Sequence, residues 1–359
     1  MSTSVRRTHG AIYVGGNMHA GTTLLAEMLG DHPDVAAAKS ETKFFDSLPA
    51  YRQAFPSLAD PIDRARLAQA VGDLLDTGFR FASLDPEHLR SLVPGQGALD
   101  IAASLANDAD HGAVFVAVTE AWTAARQRLH FAEKTPTNAL WVDEILRADP
   151  TARFVFMVRD PRDVVASRKT RHATIESGRY DEDQLPRKRL EVTYSPLLDT
   201  LGWKALAGAS VAAARRHPDR ALVVDYVDLV TDPQGTLARV FGHAGLPPHE
   251  VDLTPKTSNA ADLSLSDRGG IDDRSVGRWR DVLRPAEASL VEWRARETMR
   301  ALGYETGAWP WHTRVAAAGL ALGAAPALAD RVVRRIRLGG WPYARTWLRG
   351  VVRKARAAK

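Results

Sequence analysis

Residues 11–29 are AIYVGGNMHAGTTLLAEML, in which an apolar run, a glycine turn and a helix-forming run follow one another directly. Ala11–Gly15 has the composition of a buried strand, and Thr22–Leu29 that of a helix. A turn at this place directs backbone N–H groups and the positive end of the helix dipole towards one point, which suits a phosphate group. Such a turn can also serve tight packing alone, and the turn by itself does not separate these two interpretations.

The spacing of the turn, Gly16-Asn-Met-His-Ala-Gly21-Thr22-Thr23, is that of a nucleotide P-loop, but Thr22 stands where the P-loop has lysine. In nucleoside triphosphatases that lysine reaches the β- and γ-phosphates. Its absence disfavours ATP or GTP as a phosphoryl donor. A P-loop-type kinase is therefore only an alternative interpretation.

Further strand-like runs occur at His130–Ala132, Arg153–Val158 and Ala221–Asp225, separated by helical stretches. This alternation is typical of a parallel α/β sheet. Residues 46–110 show helical periodicity with little strand character. The charge-rich stretch Arg168–Lys188 is predicted to be a mobile loop near an active site.

The predicted fold class is α/β, a P-loop-like parallel sheet flanked by helices, with a helical insertion and a basic helical C-terminal tail. The predicted division of the chain is a main domain over 1–308, which contains the insertion at 46–110, and an aromatic-rich appendage over 309–359.

Composition excludes several kinds of site. The chain has 359 residues and no cysteine, so a cysteine nucleophile, a cysteine-ligated zinc and an iron–sulfur cluster are all excluded. The net charge is +5, but residues 331–359 contain ten Lys and Arg and no Asp or Glu, which leaves −5 for the preceding chain. A polyanion-binding main domain is therefore not expected, and no metal cluster is visible.

A second candidate anion site follows the strand at 153–158, in the run Arg159-Asp-Pro-Arg-Asp-Val-Val-Ala-Ser167. Pro161 is well placed to begin a helix, with Ser167 two turns farther along. An arginine at the carboxyl end of a parallel strand is well placed to grip a phosphate with two hydrogen bonds. As isolated charges, Arg159, Arg162 and their aspartate neighbours would instead form a salt-bridge cluster.

These two segments resemble the 5′- and 3′-phosphosulfate-binding motifs of the sulfotransferases, which use 3′-phosphoadenosine 5′-phosphosulfate (PAPS), most closely in the bacterial branch related to tyrosylprotein sulfotransferases. The resemblance extends over about residues 10–305. Its further pieces are Leu29-Gly-Asp-His-Pro-Asp-Val35, Glu41-Thr-Lys-Phe-Phe45, Glu133-Lys-Thr-Pro136, Tyr226-Val-Asp-Leu229 and Val276-Gly-Arg-Trp-Arg280.

The resemblance implies an enzyme that transfers a sulfuryl group from PAPS to a hydroxyl, or secondarily an amine, of a small-molecule, glycan or lipid-linked acceptor. It implies Glu41 as the base, Lys134 as an electrostatic stabiliser, and His19 in place of the family's usual Lys or Arg. His130 and His172 are the next candidates for the base. The implied donor-binding residues are Ala20, Gly21, Thr22, Thr23, Arg159, Ser167, Tyr226, Arg274, Gly277 and Arg278.

Each assignment has a plainer alternative. Glu41 could be an ordinary surface glutamate, His19 a structural histidine, and Tyr226 a core aromatic at a strand end. Arg274 and Arg278 are weaker matches, because Asp272 and Asp273 replace basic residues expected there. A non-catalytic nucleotide-binding protein would share the donor-site pattern.

The C-terminal residues combine Trp309, Trp311, Trp341, Tyr343 and Trp347 with arginines on predicted short helices. This mixture suits an anionic membrane surface, or equally a helix packed on the main domain. Single-stranded nucleic acid can bind such a mixture but is not an expected partner. The apolar run Val315–Ala329 has 15 residues, and about 20 span a bilayer, so no spanning helix is expected. The expected location is cytoplasmic, with a peripheral position on the inner membrane face as a further option.

Overall fold

A computed structural model describes residues 9–79, 82–177, 193–253 and 273–357. Its centre is a parallel five-stranded sheet with strand order β2-β3-β1-β4-β5. The strands are β1 (His9–Gly16), β2 (Val35–Ala37), β3 (His130–Lys134), β4 (Arg153–Val158) and β5 (Ala221–Asp225). The four predicted strands are confirmed, and the short β2 is an addition.

The apolar side chains of the strands alternate between the two faces of the sheet, so each face carries a hydrophobic core. In β1, Ile12 and Val14 point to one hydrophobic core, and Tyr13 points to the other. In β4, Phe154 stacks on Tyr13 with ring centroids 5.7 Å apart, while Val155 packs with Ile12 on the opposite face. The sheet therefore lies between two layers of helices, as parallel sheets require.

Helices connect and cover the strands. They are α1 (Thr22–Gly30), α2 (Phe44–Ala54), α3 (Pro61–Thr77), α4 (Pro86–Ser91), α5 (Gln96–Ser104), α6 (His111–Ala125), α7 (Val142–Ala148), α8 (Pro161–Glu176), α9 (Pro196–Arg216), α10 (Tyr226–Thr231), α11 (Pro233–Ala244), α12 (Trp279–Val282), α13 (Pro285–Ala301), α14 (Trp311–Leu322) and α15 (Ala324–Ala357), with a 3-10 helix at Pro136–Leu140. Between residues 46 and 110, apart from the undescribed 80 and 81, all regular structure is helical. The domain boundaries themselves remain a prediction.

The loop prediction for Arg168–Lys188 is wrong over its first half. Helix α8 continues to Glu176, after an N-terminus where Pro161 takes the first position and the Asp160 side chain accepts a hydrogen bond from the Arg162 N–H. The charges of α8 have distant partners, such as Glu287 for Lys169. The rest of the predicted loop, from residue 178, lies outside the described residues.

The C-terminal residues form two helices, α14 and one long α15, rather than several short ones. Helix α14 lies on α13 through its buried Thr313 and Ala317. Helix α15 lies on α9, where buried Arg331 donates to Asp199 at 3.0 Å. The stretch Trp311–Arg337 is long and apolar enough to cross a membrane by length and composition alone.

Candidate active site

The strand register brings the two sequence motifs to one edge of the sheet. Strand β1 lies between β3 and β4, with Val14 opposite Lys134 and Gly16 opposite Met157. The segments that leave the carboxyl ends of these three strands are therefore neighbours. This is the edge at which open parallel sheets bind ligands.

The glycine turn has a conformation that larger side chains would not permit. Gly16 and Gly21 have φ angles of 105° and 81°. A Cβ atom on Gly16 would lie 2.2 Å from the Met157 carbonyl oxygen, and one on Gly21 would lie 2.8 Å from the Tyr226 ring. Helix α1 then begins at Thr22 with no side-chain cap from the described residues. Its first N–H groups thus have the arrangement of an anion-binding helix start.

His19 joins this turn to α8. Its Nδ1 atom lies 3.2 Å from Ser167 Oγ, and its backbone carbonyl accepts a hydrogen bond of 3.2 Å from Arg159 Nη1. His19 also has a positive φ of 63°, so the turn contains three left-handed residues. Three residues predicted to contact the donor, His19, Arg159 and Ser167, therefore lie together.

Positive charge surrounds His19. Burial lowers the pKa of the imidazole well below its usual value, and the charges of Arg168, Arg171 and Arg159 lower it further. Arg171 lies one helical turn beyond Ser167 on α8 and is partly exposed. Sequence reasoning missed Arg171. The spacing from Ser167 could have indicated it once α8 was recognised as a helix.

Arg159 connects three parts of the site. Besides the His19 carbonyl, its guanidinium donates to the Ser275 carbonyl and lies over the Tyr226 ring, 4.4 Å from the centroid. The Tyr226 hydroxyl in turn lies 2.8 Å from Ser275 Oγ. Arg159 Nε is buried and finds no hydrogen-bond partner among the described residues. Such a buried, unpaired donor beside a phosphate-type turn fits an anionic ligand.

The late glycine segment is held against α8 by Asp163. Its carboxylate accepts hydrogen bonds from the Gly277 N–H at 2.8 Å and the Trp279 N–H at 2.9 Å. Burial raises the pKa of Asp163, although the charge of Arg159 opposes the shift. Gly277 thus lies near the Arg159 site, whereas the Arg274 side chain is exposed and Arg278 is partly exposed.

The salt-bridge alternative applies to the neighbours of Arg159. Arg162 pairs with Asp160 at 2.6 Å and with the buried Glu292 at 2.8 Å. This cluster joins α8 to α13 and leaves Arg159 out. The run 159–163 thus contains one candidate ligand-binding residue, Arg159, beside structural charges.

Glu41 and Lys134 form a second group. Lys134 Nζ donates to Glu41 Oε1 at 2.9 Å, and Lys43 Nζ lies 3.2 Å from Oε2. Burial raises the pKa of Glu41, but the two ammonium groups outweigh it, so the net pKa lies below its usual value. Glu41 is therefore an ionised, partly exposed carboxylate held by lysines. These two ion pairs distinguish Glu41 from an unpaired surface glutamate.

A buried carboxylate that sequence reasoning missed, Glu133, supports this second group. It accepts hydrogen bonds from Thr42 Oγ1 at 3.1 Å, Thr135 Oγ1 at 2.9 Å and Asn138 Nδ2. Thr135 Oγ1 also accepts from the Lys43 N–H at 3.2 Å. Burial raises the pKa of Glu133, although these hydrogen bonds oppose the shift. Glu133 thus fixes the backbone that carries Glu41 and Lys134.

The remaining candidates differ in position. Ala20, Gly21, Thr22 and Thr23 form the end of the turn and the start of α1. His130 lies at the amino end of β3, opposite the end that carries Lys134, so it is badly placed to be the base. Among the described residues, no group of three or more His, Cys, Asp and Glu could hold a metal ion.

Residues 11–250 match the sulfotransferase family, which is more than half of the chain. The chain therefore belongs to the sulfotransferase family and is a sulfotransferase. The matched residues include both candidate groups, the glycine turn with α8 and the Glu41–Lys134 pair.

Among individual proteins, the chain is similar to a Caenorhabditis briggsae protein named "Putative protein-tyrosine sulfotransferase", with 21% identity over 75% of this chain and 80% of the relative. It is also similar to two solved structures. One is the sulfotransferase domain of the Synechococcus PCC 7002 olefin synthase, with 18% identity, a TM-score of 0.48, and coverage of 86% of this chain and 99% of the other. The second is the sulfotransferase domain of the curacin biosynthetic pathway, with 19% identity, a TM-score of 0.46, and coverage of 84% and 100%.

Proposed function

We propose that this sulfotransferase uses PAPS as its donor and transfers the sulfuryl group to an acceptor hydroxyl. The observation that supports this most directly is the cluster at the carboxyl edge of the sheet, where the glycine turn meets Arg159, Ser167, His19 and Arg171. A donor with phosphates at both the 5′ and 3′ positions needs two anion sites close together. The turn and the arginine cluster supply them.

The donor site divides into two parts. The backbone from Ala20 to Thr23, with the threonine hydroxyls, would hold the 5′-phosphosulfate at the start of α1. Arg159, Ser167 and Arg171 would hold the 3′-phosphate, with Tyr226 beside them for the adenine. Asp163 keeps the segment around Gly277 next to this site. Arg171 would compensate for the basic residues that the late segment lacks, with Arg274 and Arg278 as further charges.

The transfer requires a proton acceptor and cations. The acceptor oxygen forms a bond to sulfur while the bond from sulfur to the bridging oxygen of the 5′-phosphate breaks, and the electron pair stays on the phosphate. Glu41, which Lys43 and Lys134 keep ionised, would take the acceptor's proton. Lys134 and His19 would neutralise charge on the sulfuryl and leaving phosphate groups.

A hydroxyl acceptor fits the single carboxylate better than an amine does. A hydroxyl must lose its proton as it attacks, whereas a neutral amine attacks through its lone pair. The Caenorhabditis briggsae relative carries tyrosine sulfation in its name, which is also chemistry at a hydroxyl. We propose small-molecule, glycan or lipid-linked hydroxyls as the acceptor class.

Calorimetry with adenosine 3′,5′-bisphosphate, the desulfated donor, tests the donor assignment. It should bind far more tightly than ATP, which lacks a 3′-phosphate. Arg159→Ala should weaken binding by about 2–4 kcal/mol and Arg171→Ala by about 1–2 kcal/mol, the scale of charge-assisted hydrogen bonds. Arg147→Ala, at an exposed arginine of α7, is the matched control and should change nothing. Equal affinities for ATP and the bisphosphate would refute the assignment.

A further inference from the structure

Helix α14 presents an apolar stripe to solvent. Trp311, Val315, Ala318 and Leu322 are spaced by four, three and four residues, which places them on one face of a helix. Trp311 is 76% exposed, Val315 62% and Leu322 83%. The opposite face, with Thr313 and Ala317, is the buried one against α13. The apolar stripe is thus the side that the protein itself leaves uncovered.

Helix α15 also exposes apolar side chains in its first turns. Among its described side chains, Ala324, Arg331 and Ala344 are buried, and Arg331 pairs with Asp199 of α9, whereas Leu328, Val333 and Ile336 are exposed. A helix that lies on a soluble protein normally buries its apolar stripe and exposes its charges. Helices α14 and α15 follow one another directly, and both expose apolar side chains. We call these residues together the α14–α15 face: Trp311, Val315, Ala318 and Leu322 of α14, and Leu328, Val333 and Ile336 of α15.

We propose that the α14–α15 face docks on an anionic lipid membrane surface. Residues 331–359 contribute ten Lys and Arg and no acidic residue, and Arg337 and Arg345 are exposed on α15. Trp311 and Trp341, which is 57% exposed, are exposed side chains of the kind found at membrane interfaces. Apolar side chains for the acyl boundary and arginines for the lipid phosphates are the two requirements of an interfacial helix.

The helices would lie on the membrane rather than cross it. The stretch Trp311–Arg337 has a sufficient length and composition to cross, and little of it is buried. It is nevertheless fixed to the protein by the buried Thr313 and Ala317 and by Arg331, which pairs with Asp199. A crossing would expose the Arg331–Asp199 pair to hydrocarbon or break it, and both are costly.

A second copy of the chain is a poorer occupant of this face. Two copies would bring two sets of ten basic residues together, with no acidic residue between 331 and 359 to balance them. Like charges at such an interface oppose association, whereas anionic lipid complements them.

Co-sedimentation of the full-length protein with vesicles tests the proposal. We compare vesicles of phosphatidylcholine with vesicles that contain about one-third phosphatidylglycerol. We expect binding to the anionic vesicles only, with a fall of tenfold or more in the partition coefficient between about 50 and 500 mM salt. Donor binding and thermal unfolding, measured on each variant, show that it is folded.

Two variants separate the apolar and the charged contributions. The triple variant Trp311→Gln, Val315→Gln and Leu322→Gln should lower partitioning about tenfold or more, as should Arg337→Glu with Arg345→Glu. Val93→Gln, at an 88% exposed apolar residue between α4 and α5, is the control and should bind like the wild type. Wild-type partitioning in the triple variant would overturn the proposal. So would a stable dimer in solution that the triple variant separates, because the face would then belong to a second copy.

Discussion

At the scale of single residues, the arginines around His19 change what this histidine can do. Imidazolium can neutralise the donor's charge, but burial lowers the pKa of His19, and the charges of Arg168, Arg171 and Arg159 lower it further, so neutral imidazole is favoured in the protein without donor. Donor phosphates would reverse this balance. His19 is therefore expected to gain its proton together with the donor, rather than to carry it beforehand.

This gives a prediction about proton uptake. Binding of adenosine 3′,5′-bisphosphate near pH 7 should take up a proton through His19, so affinity should rise as pH falls from about 8 to about 6. Calorimetry in buffers of different ionisation enthalpy measures the uptake. His19→Arg and His19→Asn should both lose the proton uptake that is due to His19, and His19→Arg should retain more affinity for the bisphosphate. Equal uptake in the wild type and His19→Asn would make the histidine a bystander.

The depressed pKa of His19 also affects stability. Without donor, the pKa of His19 is lower in the folded protein than in the unfolded chain. At the usual pKa of a histidine, the unfolded chain therefore takes up a proton that the folded protein does not. The contribution of His19 to stability is therefore present above that pKa and is lost as pH falls below it.

Glu41 is the second residue with an assigned role, and its replacement separates chemistry from binding. Glu41→Gln should lower kcat by about 100- to 10,000-fold, the usual cost of losing a general base, with little change in donor affinity. Steady-state kinetics at a saturating acceptor, combined with donor calorimetry, measure both. Glu297→Gln, at an exposed glutamate of α13, is the control. Wild-type turnover in Glu41→Gln would remove Glu41 from the mechanism.

At the scale of elements, the position of the late glycine segment depends on α8. The Asp163 carboxylate accepts both the Gly277 and Trp279 N–H groups, and its removal leaves them without this acceptor. Asp163→Ala should lower the free energy of unfolding by about 2 kcal/mol and weaken donor binding, with Asp163→Asn intermediate. Denaturant unfolding and amide hydrogen exchange at residues 277 and 279 measure these effects. The exposed Asp281→Ala is the control, and an unchanged exchange rate at 277 in Asp163→Ala would contradict the prediction.

Elements were predictable where the local pattern decides them. Strands β4 and β5 have the predicted bounds, because each is an apolar run in sequence. Strand β2 has only three residues, too few for a periodic pattern. The first half of the predicted loop is helical because the charges of α8 pair with distant residues, such as Asp199 for Arg168. Charge density in one sequence does not show such pairs.

The candidate site, like the helices and strands, was predictable only where the local sequence decides it. The turn and Arg159 lie beside strands and could be placed from sequence. Glu133 could not, since its role depends on Thr42, which is far away along the chain. Arg171 could be placed only by its spacing from Ser167, once α8 is recognised as a helix. The roles assigned to the site residues remain predictions.

At the scale of the whole molecule, the C-terminal helices are joined to the candidate active site. Asp199 of α9 pairs with Arg331 of α15 at 3.0 Å and with Arg168 of α8 at 2.8 Å. Arg168 follows Ser167 directly, so one buried carboxylate lies between the tail and the proposed donor site. A truncation at Gly307 would leave Asp199 without one of its arginines and uncover the faces of α9 and α13. Point variants that keep the whole chain therefore test the role of the C-terminal helices more cleanly than a truncation does.

The last prediction concerns this three-residue network. Asp199→Asn should lower the free energy of unfolding by about 3 kcal/mol, because it leaves two largely buried arginines without their carboxylate. Arg331→Met should cost less, since Asp199 keeps Arg168 and the Ser195 N–H. The double variant should be more stable than the sum of the single effects predicts, by about 1 kcal/mol or more, because the same buried charge is removed only once. Denaturant unfolding of the four proteins gives the cycle, with Asp330→Asn as the control. Asp330 pairs with Arg334 within α15 at 2.7 Å near the surface, and its loss should cost less than about 0.5 kcal/mol. If the two single effects simply added, α15 would not be coupled to the main domain through Asp199.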